Sequence, residues 1–283
     1  MTDRATTGAV GEFAAALRAR LARDGVVVLG PIDVEASLPL VAAALADTAT
    51  AAACVMLDPW YNKGVGGVRD DYTGFVVRLL EAAAAVAPHT YLWGFPEIVA
   101  RFVDRLPTGV ELEAWLTWYY KNNPSVIRGW RSAQMTCLHL TRPDAVLHPE
   151  AFLNEAQLQK QAEGKLRYLP GPPSVIESAL LVGFIGRAEQ TGHPSQKPEA
   201  VYNPLVRMAT VEGDLLIDPM CGSGTTGAVA RALGRKAILA DRDSDYVALV
   251  EGRLGIERLA VPEWATPAAA GTGQADDAPP PKS

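Results

Sequence analysis

Asp214-Leu215-Leu216-Ile217-Asp218-Pro219-Met220-Cys221-Gly222-Ser223-Gly224-Thr225-Thr226-Gly227 is the stretch from which the rest of the chain can be read. Asp214–Ile217 is a short apolar run that predicts a strand, and the Pro- and Gly-containing segment after it predicts a turn. Thr225–Leu233 reads as a helix and Lys236–Ala240 as the next strand, closed by Asp241. The spacing Gly222-x-Gly224-x-x-Gly227 places small residues where a strand turns sharply into a helix. Such a turn lets a ligand approach the backbone, and a helix N-terminus offers N–H groups to an anion.

Moving outward, Pro198–Ala209 predicts a helix leading into this unit, and a further helix ends near Leu254. Far upstream, Ala51–Leu57 is apolar without alternation, the pattern of a parallel strand covered on both faces, and it runs into Asp58-Pro59-Trp60-Tyr61. Between these lie predicted helices over Tyr72–Val86 and Ile98–Leu106 and strands over Tyr91–Phe95, Trp115–Lys121 and Met135–Thr141. Near the start, Val26–Leu29 predicts a strand, and Ser37 is a candidate cap for a helix running to Ala46. Strands alternating with helices imply an α/β, doubly wound and mostly parallel sheet whose ligands sit at the carboxyl ends of its strands. The expected organisation is an N-terminal helix within residues 1–24, carrying Phe13, Leu17 and Leu21 on one face, then a main domain over 25–260. Residues 142–192, polar and locally Pro-rich, read as an insertion, and 261–283, dominated by Ala, Gly, Pro and Asp, as a disordered tail.

The 283 residues are 48% hydrophobic and 20% charged, enough for one large domain with an insertion. No apolar run approaches the ~20 residues of a membrane span, and Met1–Gly11 does not resemble a signal peptide. Cys54, Cys137 and Cys221 share no metal-ligand spacing and the four histidines are scattered, so no metal and a reducing, cytoplasmic setting are expected. The net charge of −6 weighs against a nucleic-acid partner. The local distribution weighs the other way: Ala114–Pro143 carries Lys121, Arg128, Arg131 and Arg142, five interleaved aromatics and no carboxylate. A strand pair with solvated charges and a DNA-facing surface both fit that pattern.

The glycine-rich turn admits two ligand classes. A nicotinamide dinucleotide fits the glycine spacing, with Asp241 on the ribose hydroxyls. Asp218 points to the other class, since a carboxylate before the turn repels a pyrophosphate but suits a sulfonium ligand carrying an ammonium group, such as S-adenosylmethionine. By itself Asp58-Pro59-Trp60-Tyr61 is also compatible with an ordinary Asp-Pro turn. Its company is what distinguishes it: a second strand end in the same predicted sheet supplies an acceptor carboxylate, a carbonyl and two aromatic faces.

Three segments taken in order, Asp58-Pro59-Trp60-Tyr61-Asn62, His193-Pro194-Ser195-Gln196-Lys197-Pro198 and Asp218–Thr226, resemble the amino-methyltransferase family of DNA in its circularly permuted β-type arrangement. Trp118–Gln134 is similar to the family's Trp-x-Lys-Asn strand and its sequel, and Asp241, Tyr246 and Arg253 fall where its acidic residue and following helix stand. The resemblance extends from Val26 to Leu254. It implies a Rossmann-like S-adenosylmethionine-dependent methyltransferase fold with one antiparallel strand, and target recognition within 142–192. Trp60 stands where the family has a second proline, and Asp33 stands only near the family's Gly-Asp.

The resemblance implies site-specific methylation of an exocyclic amine in double-stranded DNA by a monomer or homodimer. Asp58, Pro59, Trp60 and Tyr61 are the expected catalytic residues. Asp218, Pro219, Cys221, Gly222, Gly224, Thr225 and Asp241 are expected to hold the cofactor, and Lys197 to reach its carboxylate or the DNA backbone. Lys121, Arg128 and Arg131 are expected on DNA, and Gly64, Gly66 and Gly67 as hinges of a loop over a flipped base. Asp58 favours adenine N6, since family members with Ser there more often act on cytosine N4. Alternatives are cytosine N4, methylation of RNA, a protein amide or a small molecule, a DNA-binding module without catalysis, and last a nicotinamide oxidoreductase.

Overall fold

A computed structural model describes residues 4–46, 51–62, 67–123 and 129–266. Eight strands form one sheet: β1 (Val26–Val28), β2 (Ala52–Leu57), β3 (His89–Gly94), β4 (Glu111–Tyr119), β5 (Gln134–Thr141), β6 (Val175–Glu177), β7 (Leu215–Asp218) and β8 (Lys236–Leu239), in the order β1-β8-β7-β2-β3-β5-β4-β6. All neighbours pair in parallel except around β5, which runs antiparallel to both β3 and β4. The α/β sheet with one reversed strand is therefore the expected one.

Helices cover both faces. On one side lie α1 (Arg4–Asp24), α2 (Val34–Leu45), α3 (Tyr72–Val86) and α4 (Pro96–Val99), packing Leu17, Leu38, Phe75 and Leu79 against Val55, Leu57, Leu92 and Ile217. On the other lie α6 (Glu199–Ala209), α7 (Thr225–Ala232) and α8 (Ser244–Leu254), packing Val201, Leu205, Val229 and Val250 against Cys54, Met56, Tyr91 and Cys137. Burial on both faces explains why β2 and β7 show no polar alternation. α1 follows its apolar period, with Phe13, Leu17 and Leu21 at most 5% exposed.

Several boundaries differ from the sequence reading. Asp33, not Ser37, caps α2, accepting from the Glu35 N–H at 2.9 Å, while the Ser37 hydroxyl donates back to the Val34 carbonyl. The helix expected over 98–106 is only α4 and one 3-10 turn (Ala100–Phe102). Within 142–192 the unassigned chain holds a 3-10 turn (Pro149–Phe152) and α5 (Glu155–Ala162), the latter started by a reciprocal Asn154–Gln157 capping box. The apolar run 176–185 contributes strand only at β6, against the edge strand β4. The chain also stays on the fold past 260: Leu259 bridges Leu29, and Ala265 is 3% exposed in the core, so 261–266 are not a free tail. Positions 267–283, and Gly64 and Gly66 of the expected hinge loop, lie outside the described residues. No described helix is long and apolar enough to cross a membrane.

What positions the site is the winding of the sheet. From β7 the chain passes through α7 to β8 on one side; from β2 it passes through α3 to β3 on the other. β2 and β7 are themselves adjacent and parallel, with Val55 opposite Ile217. Their carboxyl ends therefore border the crevice where the winding reverses, the usual ligand position in open α/β sheets.

Candidate active site

Both strand-end turns open into one cavity of about 910 Å³. Its walls include Asp58, Pro59, Trp60 and Tyr61 from the β2 turn and Asp218–Ser223, Thr225 and Thr226 from the β7 turn. His193, Pro194, Ser195 and Lys197 close one side, and Asp33 and Asp241–Ser244 with Tyr246 close another.

The glycine-rich turn is internally tied. Gly222 and Gly224 adopt φ of 46° and 77°, conformations that disfavour a side chain, and a Cβ at Gly222 would meet the His193 ring at 2.8 Å. The N–H groups of Met220, Cys221, Gly222 and Gly224 donate to Asp218, the Ala240 carbonyl, Asp241 and the Cys221 carbonyl, respectively. These four groups hold the shape of the turn, while the N–H groups of the helix N-terminus are those of Thr225, Thr226 and Gly227 in the first turn of α7. Arg253 from α8 donates to the Ser223 carbonyl at 2.9 Å and to Thr225 Oγ1 at 3.1 Å while pairing with Glu199 at 2.8 Å.

Two carboxylates stand at this turn. Asp218 is 4% exposed and accepts from the Thr226 hydroxyl and the Met220 N–H; burial pushes its carboxyl up to about 7. Asp241 is 8% exposed and accepts from the Gly222 N–H at 2.9 Å and the Asp243 N–H at 3.0 Å; burial also raises it. His193 packs 4.4 Å from the Tyr246 ring, and burial lowers its pKa, so the ring is neutral at pH 7.

At the β2 turn, Asp58 Oδ2 accepts from the Lys197 ammonium, while Oδ1 is buried without a partner. Lys197 is 3% exposed, and its Nζ lies 5.3 Å from the Trp93 ring centroid. Trp93 in turn stacks on Tyr202, planes 4° apart. Lys197 therefore reaches the β2 turn from the wall of the cavity, where Asp58 supplies the counter-charge that a buried ammonium needs.

Tyr61 packs 4.6 Å from Phe95 and its hydroxyl reaches Met135 Sδ at 3.8 Å. Trp60 is braced against α3: it packs on Tyr72 and Phe75, its indole N–H donates to the Gly67 carbonyl at 3.2 Å, and its carbonyl accepts from Tyr72 at 2.7 Å. It is thus a structural wedge that also lines the cavity. Asn62 continues the turn at φ 54° and holds the Arg69 backbone through both ends of its amide.

Of the residues expected on DNA, Lys121 pairs with Glu177 at 2.6 Å, Arg131 is exposed, and Arg128 lies outside the described residues. Arg142 of the same basic stretch pairs with Asp144 at 2.7 Å. Partners beyond the stretch itself thus answer two of its charges. Trp93 and Tyr202 were missed by sequence reasoning: each is an ordinary core aromatic until the fold brings it to Lys197. Among the described residues no cluster of three or more His, Cys, Asp or Glu is arranged to hold a metal.

Comparison with known proteins agrees with this geometry. The chain is 27% identical to the type II methyltransferase M.HpaI of Haemophilus parainfluenzae over 72% of its own length and 68% of that protein's. It is 42% identical to the DNA adenine methyltransferase YhdJ of Escherichia coli over 40% of this chain and 39% of the other. The structure of the M1.HpyAVI–SAM complex superposes over 82% of this chain and all of that one, with TM-score 0.61 and 17% identity. PvuII DNA methyltransferase, cytosine-N4-specific, superposes over 81% and 88% with TM-score 0.51 and 18% identity, so both solved structures speak to the fold. The family model described as DNA methylase, N6_N4_Mtase, matches residues 108–252, from β4 through the glycine-rich turn into α8. That match spans more than half of the chain, which belongs to this DNA methylase family.

Proposed function

We propose that the chain transfers a methyl group from S-adenosylmethionine to adenine N6 in double-stranded DNA. The observation that carries this reading is the meeting of Asp58 and Asp218 in one cavity, delivered there by adjacent parallel strands. YhdJ, whose name specifies adenine, favours that base, as does Asp at the first position of the β2 turn. The order of the chain, with the Asp58 turn early and the Asp218 turn late, suits a circularly permuted member of the family.

The residues fit the cofactor. Asp218 is a buried carboxyl held near neutrality by burial, and a ligand ammonium beside it would restore its charge. Asp241 has acceptor capacity left beside its two N–H donors for ribose hydroxyls, and the lack of side chains at Gly222 and Gly224 lets the ligand lie against the backbone. Cys221, Pro219 and Thr225 complete this wall. When bound, the sulfonium supplies a methyl carbon already activated for attack, its bonding pair passing to sulfur.

The chain's own residues prepare the nucleophile. An exocyclic amine is a weak one because its lone pair is delocalised into the ring. Asp58, acceptor-only when ionised, takes one N–H, and the Pro59 carbonyl takes the other. Withdrawing both hydrogens localises the lone pair, and Asp58 is placed to accept the proton that the nitrogen sheds once the new N–C bond has formed. A base must leave the duplex to reach this depth, at a cost of a few kcal/mol. Tyr61, anchored by Phe95, offers a stacking face worth ~1–3 kcal/mol against that cost.

Incubation with labelled S-adenosylmethionine and duplex DNA of mixed sequence, followed by nucleoside mass spectrometry, is the direct test. N6-methyladenine is the expected product. N4-methylcytosine would reassign the base, and no methylated nucleoside would defeat the proposal.

A further inference from the structure

Lys197 is held at both ends. Its carbonyl accepts from Thr225 Oγ1 at 2.9 Å, which ties it to the glycine-rich turn, and its ammonium pairs with Asp58 Oδ2 on the other turn. Pro198 follows it as the cap of α6, and Arg253 donates to the same Thr225 hydroxyl at 3.1 Å, so little freedom is left to the backbone. The side chain is 2% exposed and Asp58 is its ion-pair partner among the described residues. The face of Trp93, itself locked against Tyr202, supplies the second contact an ammonium can use.

We infer that Lys197 is a positioning residue for methyl transfer: its ammonium, seated on Oδ2, fixes the orientation of the Asp58 carboxylate and leaves Oδ1 as the acceptor for the target amine. This rests on the function proposed above. The other titratable groups that feel Asp58 are Asp218, His193, Cys137 and the phenols of Tyr61, Tyr72 and Tyr202. Burial holds the phenols and the thiol in their protonated forms and His193 in its neutral form, so none of them supplies a fixed positive charge. That leaves Lys197 as the cation in contact. Were it turned to the cofactor carboxylate instead, Asp58 would be left partly buried with neither oxygen paired, the costly arrangement for a carboxylate.

The test compares wild type with Lys197→Met and Lys197→Arg. Lys197→Met is expected to lower kcat about a hundredfold at pH 7.5, in the range for loss of a preorganised electrostatic partner. Its calorimetric Kd for S-adenosylmethionine should stay within about threefold, so that the loss falls on kcat. Lys197→Arg, keeping the charge, should recover most of the loss. A cofactor Kd weakened about tenfold or more, with kcat restored at saturation, would overturn the inference in favour of cofactor binding. Failure of Lys197→Arg to recover more of kcat than Lys197→Met would equally overturn it, as a merely structural role. The carboxyl 13C resonance of Asp58, identified by its loss in Asp58→Asn, should move at pH 7.5 in Lys197→Met and return toward its wild-type position in Lys197→Arg; an unchanged resonance in Lys197→Met would overturn the pairing. That measurement needs no turnover, so it decides the role of Lys197 even where the wild type methylates no DNA and the proposed function itself fails.

Discussion

Asp58 and Asp218 show how two carboxylates near one cavity take different roles from their surroundings. Asp58 has a buried cation on one oxygen, whereas Asp218 has neutral donors and is pushed up to about 7 from an ordinary 3.8 by burial. Asp58→Ala should lower turnover by about 10²–10³ while calorimetry shows cofactor binding retained; near-normal turnover would remove Asp58 from the mechanism. For Asp218 the raised folded pKa sets the sign. Between about pH 4 and 7 the folded chain keeps a proton that the unfolded chain has lost, so stability falls as pH rises through this window, and the full penalty is present above it. Denaturation curves of Asp218→Asn should lack that part of the decline, becoming relatively more stable than wild type from pH 5 to 8. At this scale the site was half legible. Asp58, Tyr61, Asp218 and Asp241 announce themselves as polar or aromatic residues at strand ends. Trp93, Tyr202 and the partner of Lys197 do not, because each acquires its role from a residue more than a hundred positions away or across the sheet.

Elements place these residues through tight packing. Gly227, third in the spacing, lies one turn into α7, where a Cβ would meet Leu239 at 2.5 Å and Leu254 at 2.9 Å. The absence of a side chain is what lets α7 lie against β8 and α8 and carry the turn with it. Gly227→Val should destabilise the fold by about 1–3 kcal/mol through overpacking, read from chemical denaturation, and weaken cofactor binding as the turn shifts. A neutral effect on both would show that α7 has slack. Several elements were legible in the sequence: α3 spans the predicted residues and β2, α6, α7 and β8 lie within a residue of them. Others were not. α4 starts earlier than expected, with Pro96 as its first residue and packed close to β3, where a Cβ at Gly94 would meet Val99 at 2.8 Å. α5 went unseen because its eight residues bury nothing and so carry no apolar period, although Asn154 and Gln157 were there as its cap.

At the scale of the whole molecule, a net charge of −6 has to be reconciled with a polyanionic substrate. β5 starts at the edge where β3 and β4 end, Gln134 facing Tyr119 and Thr136 facing Gly94, so exposed Arg131 stands on the rim that holds the β2 and β7 turns. Lys121 is already paired, and Arg142 follows Thr141 at the opposite end of β5, so neither adds a free charge to this rim. DNA affinity should therefore fall only shallowly with salt, and Arg131→Ala should reduce the slope of log K against log salt by about 1 without changing cofactor affinity. An unchanged slope would place DNA elsewhere. The sequence by itself determined the kind of sheet, the two turns that end β2 and β7, and the family, because apolar period, glycine spacing and carboxylate type are local properties that survive without contacts. The tertiary structure alone decided that those turns face each other, that Lys197 pairs with Asp58, and that Lys121, expected on DNA, pairs with Glu177. Each of these is a contact between distant segments, and its energy depends on burial and distance, which no stretch of chain carries by itself.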